Sequence, residues 1–413
     1  MRTLRVAARA FWTALALALS ACGGGGGSVS PNIPAQAEPV AGARSFSESA
    51  ASTGRFTPRD TSSYKVLAKF DGTDGKQPNA ALVDVNGTLY GTTYDGGRND
   101  LGTVFSISPS GKETVLHSFT GGSDGMFPTA GLTYLDGSLY GTSEEGGVYY
   151  DGTVFSITTS GYESVLYNFQ GGRDGAIPLA GLTAIDGTLY GTTGRGGGQD
   201  EAGIVFSLTT SGTETVLHRF GPDGLDSPQA GVTAVGDELY GTTAGGGAAG
   251  MGAVYALTES GKELWRYSFE GGPDGQNPTT GLTVLDGTLY GTTYNGGYAS
   301  EGVVYAITTS GKESVLHAFT GGLDGEEPLA GLTETGGKLY GTTWAAGANN
   351  GGTLFSLGKG GDLDVLYSFS GSSDRGGPMA ALTAAGSTLY GSASGRDLNG
   401  GGQGDGFVFS YTL

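Results

Sequence analysis

The sequence predicts an all-β protein, a seven-bladed β-propeller of four-stranded blades that is closed by an N-terminal strand pairing with the C-terminal blade. Three observations predict this fold. One tripeptide recurs at a fixed long period, each repeat divides into four short β-prone segments, and the two ends of the array are incomplete in complementary ways. A fixed long period indicates one supersecondary unit copied many times.

The period is fifty residues, and two markers keep it throughout the array. The tripeptide Leu-Tyr-Gly begins at Leu89, Leu139, Leu189, Leu239, Leu289, Leu339 and Leu389. A proline recurs at Pro78, Pro128, Pro178, Pro228, Pro278, Pro328 and Pro378. The chain is therefore one repeat array rather than several unrelated domains, although its length alone would allow two or three.

The repeat that starts at Pro178 is typical of all seven. Its predicted strands are 180–185, 188–193, 204–208 and 215–220, rich in β-branched and aromatic residues. Asp186-Gly187 joins the first two strands and favours a type I′ hairpin. Ser211-Gly212 marks a second tight turn, and a glycine-rich loop separates the two hairpins. Four short strands with these turn signals describe a propeller blade.

The ends of the array complement each other. The first recognisable strand, 65–70, resembles a fourth strand with no blade before it, and the last, 407–413, resembles a third strand with none after it. Pairing the two would complete the seventh blade and remove exposed strand edges. A β-solenoid is the competing repeat fold, but its coils are usually much shorter than fifty residues.

Composition narrows the class of function. The formal net charge is −19, so the basic stripe expected of a nucleic-acid-binding protein is missing and we expect no nucleic acid as a partner. The single cysteine, Cys22, excludes an intrachain disulfide. We expect the propeller to be a monomer.

The N-terminus has the pattern of an export signal. Basic residues from Arg2 to Arg9 precede a short apolar run, Phe11 to Leu19, that is too short to span a bilayer. The following Leu-Ser-Ala-Cys at 19–22 resembles the bacterial lipobox, in which the cysteine receives a diacylglycerol. The alternative is an ordinary secretory signal with a coincidental cysteine. We expect lipidation at Cys22 and anchoring to the bacterial envelope, at the outer membrane or cell surface.

The segment after Cys22 is rich in Gly, Ser, Ala and Pro and lacks hydrophobic periodicity. Such a segment cannot offset the entropy of ordering and should act as a flexible tether. The sequence thus predicts a signal peptide at 1–21, a lipid-anchored linker at 22–62 and the propeller at 63–413.

The repeat motifs resemble those of the GloVer tandem-repeat family of bacterial surface proteins. The resemblance rests on LYGTT, GG-x-DG-x-x-P and GTVFSIT-x-SG recurring in order over residues 64–413. It implies a secreted, anchored propeller and no particular reaction. Kelch propellers share the period, but their spaced Tyr and Trp signature is not evident here.

Recurrent aspartates are the first candidates for chemistry. They are Asp74, Asp124, Asp174, Asp223, Asp274, Asp324 and Asp374. They could supply oxygen ligands to calcium as a cofactor, or could close Asx turns by accepting backbone N–H groups. We favour the turns and expect no cofactor, because each loop supplies only one regular acid.

The histidines are the second candidates. His117, His218 and His317 occupy a position where other repeats carry tyrosine, which favours a packing role over catalysis. Neither a P-loop nor an H-E-x-x-H motif occurs, and no pair of acids stands out for glycoside hydrolysis.

The loops that vary between repeats are the best candidates for binding. An up-and-down blade places the two long loops on one face, and binding residues commonly lie on loops over a rigid scaffold. The residues that follow LYGTT are Tyr94, Glu144, Gly194, Ala244, Tyr294, Trp344 and Ser394. Those before the proline are Gln77, Phe127, Ile177, Ser227, Asn277, Glu327 and Gly377. The candidate ligand-binding residues are Tyr94, Phe127, Tyr149, Tyr150, Tyr294, Tyr298 and Trp344.

These observations favour a lipid-anchored, extracytoplasmic binding module without catalytic activity, whose partners are the membrane, through its lipid, and a glycan or a surface protein. Neutral drift among exposed loops, without any binding function, would also produce the variation of loop residues between repeats. The alternative function is a carbohydrate-active hydrolase or lyase that uses the loop-bearing face or the central channel. Fold alone does not decide between these classes.

Overall fold

The computed structural model describes residues 61–221, 224–370, 377–395 and 404–413. The predicted signal peptide, Cys22 and the linker as far as residue 60 lie outside the described residues. The described residues belong to one compact unit, Ser52–Leu413. Apart from a 3-10 turn at Thr61–Ser63, they form β-strands and loops.

Strand β1 spans Tyr64–Lys69. Blade 1 contains β2 (Val83–Val85), β3 (Thr88–Thr93), β4 (Thr103–Ile107) and β5 (Glu113–Ser118). Blade 2 contains β6 (Thr133–Leu135), β7 (Ser138–Ser143), β8 (Thr153–Thr158) and β9 (Glu163–Asn168). Blade 3 contains β10 (Thr183–Ile185), β11 (Thr188–Thr193), β12 (Ile204–Thr209) and β13 (Glu214–Arg219).

Blade 4 contains β15 (Thr233–Val235), β16 (Glu238–Thr243), β18 (Ala253–Thr258) and β19 (Glu263–Ser268), with a two-residue pair, β14 (Leu225–Asp226) and β17 (Gly245–Gly246), in its loops. Blade 5 contains β20 (Thr283–Leu285), β21 (Thr288–Thr293), β22 (Val303–Thr308) and β23 (Glu313–Ala318). Blade 6 contains β24 (Thr333–Thr335), β25 (Lys338–Thr343), β26 (Asn350–Leu357) and β27 (Leu363–Ser370). Blade 7 contains β28 (Thr383–Ala385), β29 (Thr388–Ala393) and β30 (Phe407–Thr412).

Each blade is a four-stranded antiparallel sheet, and blades 1 to 6 follow simple chain order, so the predicted seven-bladed, all-β propeller is confirmed. Blade 7 takes its fourth strand from the N-terminal end of the described propeller, with β1 beside β30 and Tyr64 opposite Tyr411. That this strand holds the ring closed in solution stays a prediction.

The hairpins form as the sequence predicts, while the first strand of each blade is shorter than expected. Asp186 and Gly187 both have positive φ, 47° and 77°, as a type I′ turn requires. In blade 3 ladder pairing starts at Thr183 rather than at residue 180. Before that point Gly181 faces the preceding blade: a Cβ there would lie 3.1 Å from the carbonyl oxygen of Gly131.

Neighbouring blades are joined by the same contacts around the ring. The threonine that opens the first strand donates to the leucine or valine carbonyl of the next blade, as Thr183 does to Val232 at 2.5 Å. This bond also joins Thr383 in blade 7 to Leu82 in blade 1, at 2.5 Å. Val83 stands at the threonine's position in blade 1 and has no hydroxyl to donate.

The core lies between blades and is built from paired aromatic rings. A phenylalanine that follows the fourth strand packs edge-on against an aromatic residue in the third strand of the next blade, as Phe119 does on Phe155 at 5.3 Å. The pair between blades 7 and 1 is Phe70 on Phe105, with ring centroids 5.0 Å apart. Each fully buried ring contributes roughly 1.5–3 kcal/mol, so these interfaces stabilise the ring and hold its loops in fixed positions.

Candidate functional site

The two long loops of every blade meet on one face, because turns and long loops alternate between the ends of antiparallel strands. Fourteen residues of these loops lie beside the innermost strands, and we call them the collar. Seven follow the second strand: Tyr94, Glu144, Gly194, Ala244, Tyr294, Trp344 and Ser394. Seven precede the recurrent proline: Gln77, Phe127, Ile177, Ser227, Asn277, Glu327 and Gly377.

Backbone hydrogen bonds fix the collar to two blades at once. Within blade 2, the N–H of Glu144 donates to the carbonyl of Phe127 at 3.1 Å. The N–H of Phe127 donates to the carbonyl of Leu101 in blade 1 at 2.9 Å. The same two bonds recur at most of the other blades. Six of the seven collar residues before a proline, all but Gly377, therefore bridge a blade interface.

Six of the seven residues before the proline adopt a left-handed backbone. Their φ angles lie between 54° and 57°, and the residues are Gln77, Phe127, Ile177, Ser227, Asn277 and Glu327. This region is unfavourable by roughly 1–2 kcal/mol for a residue other than glycine. A β-branched residue such as Ile177 is an outlier there. Strained positions that keep large side chains are common where a protein binds or reacts.

One arc of the collar carries a stacked aromatic pair. The rings of Tyr94 and Phe127 lie 5.0 Å apart with an interplanar angle of 22°. Tyr94 is only 9% exposed, so it is not the exposed loop residue that the sequence suggested. The pair joins blades 1 and 2, and changing Tyr94 will therefore affect packing as well as any ligand.

A buried acid adjoins this pair. Glu144 is only 3% exposed. Burial raises the pKa of Glu144 to about 8, helped by the charge of Glu145 and opposed by that of Arg195. The side chain is therefore largely protonated near neutral pH, so it can donate a hydrogen bond or a proton.

The second arc joins blades 5 and 6. The hydroxyl of Tyr294 donates to Oε1 of Glu327 at 3.0 Å, and the carbonyl of Glu327 accepts from the N–H of Trp344 at 3.0 Å. Burial raises the pKa of Glu327, the Tyr294 hydroxyl lowers it, and the nearby charges of Glu326 and Glu301 raise it further. This arc combines two aromatic residues with a cluster of acids.

Several collar atoms are buried without a hydrogen-bond partner among the described residues. They are Oε2 of Glu327, Nε1 of Trp344 and Oγ of Ser394. Asn79 and Thr279, each directly after the recurrent proline, also carry such an atom. Buried polar groups are nearly always hydrogen-bonded. Other atoms of this kind lie elsewhere in the blades, but those at the collar lie on the loop-bearing face, where a ligand can complete their hydrogen bonds.

The other predicted aromatics lie apart from the collar, in the outer parts of the loops. Tyr149, Tyr150 and Tyr298 are 51%, 63% and 86% exposed. Ring contacts join none of the three to another described residue, whereas Tyr94 stacks on Phe127. The seven candidates thus divide into four collar residues and three exposed tyrosines.

Sequence reasoning missed Glu144 and Glu327 as site residues. At the equivalent positions the other repeats carry uncharged residues, so an acid at either position was the signal in the sequence that could have identified it. Their burial, which makes them chemically distinctive, depends on neighbouring blades and is not visible in the repeat.

Among the described residues the recurrent aspartates have a structural role, while Asp223 and Asp374 lie outside the described residues. The carboxylate of Asp124 accepts from the backbone N–H of Thr120 at 2.9 Å and lies 3.1 Å from Nε2 of His117. In blade 2 the hydroxyl of Tyr167 donates to Asp174 at 2.8 Å. Histidine and tyrosine therefore make the same contact to the loop aspartate. Among the described residues no group of three or more His, Cys, Asp and Glu side chains could hold a metal ion.

One short motif has the residue spacing of a catalytic nucleophile. Residues 121–125 read Gly-Gly-Ser-Asp-Gly, which matches the G-x-S-x-G spacing of a nucleophile elbow. That motif requires a strand-to-helix turn, whereas these residues form a loop between two strands. No hydrogen bond joins Ser123 to His117, although both are described, so the segment does not form a catalytic triad.

The fold and the collar define a β-propeller with a varied loop face. Among solved structures, the chain is similar to a quinohemoprotein alcohol dehydrogenase from Pseudomonas putida HK5, with a TM-score of 0.52, 10% identity, and 85% of this chain and 76% of that chain covered. A quinohemoprotein alcohol dehydrogenase from Comamonas testosteroni has a TM-score of 0.49 and 12% identity, with 85% of this chain and 76% of that chain covered. An aldose sugar dehydrogenase from Streptomyces coelicolor has a TM-score of 0.45 and 14% identity, with 85% of this chain and 98% of that chain covered. At such low identities the likeness concerns the fold alone.

The chain belongs to the Gloeobacter/Verrucomicrobia repeat family, whose repeat matches residues 47–201 and 193–409. These matches span the propeller and confirm the family resemblance read from the motifs. No curated protein sequence matches the chain. Among the described residues there is no helix with the length and apolar character needed to cross a membrane.

Proposed function

We propose that the protein is an exported binding module, anchored through a lipid on Cys22, whose collar takes a glycan. The observation that carries this proposal is the set of buried polar atoms without partners at the collar, which also carries the aromatic rings of Tyr94, Phe127 and Trp344. Sugars present apolar ring faces and many hydroxyl groups, so they complement both features.

The energetics support a binding role. A buried polar group without a partner is unfavourable by about 1–3 kcal/mol, and a ligand hydroxyl that completes its hydrogen bond removes this penalty. Aromatic residues commonly dominate binding energy where they form a rigid platform. The left-handed backbone of Phe127 and Glu327 keeps such side chains in place despite its strain.

The test is a glycan and polysaccharide array with the intact protein, followed by titration of any ligand found. Two variants remove unpartnered atoms of the collar: Ser394→Ala and Trp344→Phe. Both should weaken binding about tenfold or more without lowering the melting temperature. Removing an unsatisfied polar atom should, if anything, raise stability.

Tyr255→Phe is the matched control. The hydroxyl of Tyr255 is also buried without a partner, but it lies inside blade 4, where other blades carry phenylalanine. Tyr255→Phe should leave binding unchanged. If no carbohydrate binds, or if the collar variants bind as tightly as the unmodified protein, the proposal is wrong.

A second function, glycan hydrolysis or elimination, is favoured by one observation. Two acids with raised pKa values, Glu144 and Glu327, occupy nearly opposite arcs of the collar. An acid that is still protonated near neutral pH can serve as a general acid. Chromatography of array-positive glycans after incubation tests this, because Glu144→Gln should abolish product formation if the protein is an enzyme.

A further inference from the structure

The collar contains acids but no bases. Glu144 and Glu327 belong to it, and none of its fourteen positions holds Lys, Arg or His. The residues directly next to the collar in the chain include four acids, Asp95, Glu145, Asp226 and Glu326, and two bases, Lys76 and Arg195. Arg195, an exposed residue of blade 3, is the only base whose charge lowers the pKa of Glu144. Near Glu327 the charges that act on its pKa are those of Glu301 and Glu326.

Each acid is hydrogen-bonded to an aromatic residue. The backbone N–H of Glu144 donates to the backbone carbonyl of Phe127, whose ring stacks on Tyr94. Glu327 accepts from the Tyr294 hydroxyl, and its backbone carbonyl accepts from Trp344. Aromatic faces attract organic cations by roughly 0.5–2 kcal/mol, and more strongly when the cation is removed from water. Both arcs of the collar thus combine the two features that recognise an ammonium group.

We infer, on the basis of the proposed binding function, that the glycan taken by the collar carries free amino groups, as in oligomers of glucosamine. An ammonium group would pair with a buried carboxylate and lie against the adjacent ring. A metal ion would instead need several converging donors, and the described residues contain no such group of three or more. The net charge of −19 would also attract a cationic ligand.

The experiment compares glucosamine hexamer with N-acetylglucosamine hexamer, by calorimetric titration of the intact protein at about pH 6. The two oligomers have the same backbone and differ in charge. We expect the glucosamine oligomer to bind at least about tenfold more tightly. Glu144→Gln and Glu327→Gln should each reduce that preference severalfold.

Non-specific attraction between a cationic oligomer and an acidic protein must be separated from binding at the collar. Glu270→Gln removes one charge from an exposed residue of the same loop-bearing face and should leave the preference unchanged. Titration in two buffers of different ionisation enthalpy gives a second readout. Because an ammonium group favours the ionised form of Glu144, binding should release protons, and Glu144→Gln should remove this release.

The outcomes distinguish the two proposals. If both oligomers bind equally, or the acetylated one binds better, the inference about amino groups is wrong and the glycan-binding function stands. An equal loss of preference in Glu270→Gln and Glu144→Gln would also overturn the inference, since attraction would then be non-specific. If neither oligomer nor any other glycan binds, the proposed function itself fails.

Discussion

Nε2 of His117 lies 3.1 Å from the carboxylate of Asp124, seven residues further along the chain. Burial alone would raise the pKa of Asp124, but hydrogen bonds from His117 and Thr120 outweigh it and hold the pKa below its ordinary value. In the equivalent pair of blade 2 the hydroxyl of Tyr167 donates to Asp174, so a phenol makes the same contact. The contact closes the loop that leads to the next blade.

The first prediction follows from this equivalence. His117→Tyr should change the free energy of unfolding by less than about 0.5 kcal/mol, whereas His117→Phe should lower it by about 1 kcal/mol because Asp124 loses a donor. Chemical denaturation of the two variants measures the difference. Equal destabilisation by both substitutions would mean that ring packing, rather than the hydrogen bond to Asp124, determines which side chain is tolerated at position 117.

The second prediction concerns pH. Burial raises the pKa of Glu113, Glu214 and Glu313 to about 7, from an ordinary value of 4.5. These carboxyl groups ionise less readily in the folded state than in the unfolded state, so their protonated form favours folding. This contribution to the free energy of unfolding is fully present below about pH 4.5 and is lost as the pH rises to about 7. The melting temperature should therefore fall between pH 5 and pH 8.

Replacing these three glutamates by glutamine should flatten that fall. Glu263, the equivalent residue of blade 4, pairs with Arg266 at 2.6 Å, so Glu263→Gln serves as a control that should not flatten it. A melting temperature independent of pH over this range in the unmodified protein would contradict the prediction. Below about pH 4 the opposite trend should appear, as Asp124 and Asp324, whose pKa values are lowered, become protonated.

The third prediction concerns two buried hydroxyl groups. Tyr255 and Tyr305 are fully buried with no partner for their oxygens among the described residues, and five other blades carry phenylalanine there. Tyr255→Phe and Tyr305→Phe should each stabilise the protein by about 1 kcal/mol. Differential scanning calorimetry measures the shift. Destabilisation would indicate that each hydroxyl has a buried partner, such as an ordered water molecule.

The fourth prediction tests whether β1 closes the ring. The ring of Tyr64 stacks on Tyr367 at 4.1 Å, and Phe70 contacts Phe105 of blade 1. Deleting residues 63–71 removes these contacts and exposes the edge of β30. The loss should exceed about 5 kcal/mol, which rivals the net stability of a domain. A soluble monomer with an unchanged melting temperature would show that the ring closes without β1.

The fifth prediction concerns the anchor, which lies outside the described residues. If Cys22 carries a lipid, Cys22→Ser should block processing of the precursor and prevent retention of a mature lipoprotein in the membrane. Intact-mass measurement and membrane fractionation check both effects. Normal processing and retention of the variant would mean that export and attachment do not depend on this thiol.

The sequence was sufficient for the scaffold because each turn signal is local. The Asp186-Gly187 turn has the predicted backbone, and β11 spans the predicted residues. The site was harder to predict, since burial at the collar arises between blades. Tyr94 and Tyr298 both looked like loop aromatics, yet one is stacked and buried while the other is exposed. Glu144 resembled any acid in a varied loop until its neighbours were known.

The left-handed backbone at six of the seven residues before the recurrent prolines has a consequence for how this protein can change. The two backbone bonds and the φ angle at these positions are nearly the same whether the side chain is that of Gln77, Phe127, Ile177 or Ser227. The backbone conformation therefore does not depend on which residue is present. A mutation can therefore change the side chain that one blade presents at the collar without disturbing the other six blades. Glycine would relieve the strain at each position but would leave no side chain for selection to act on.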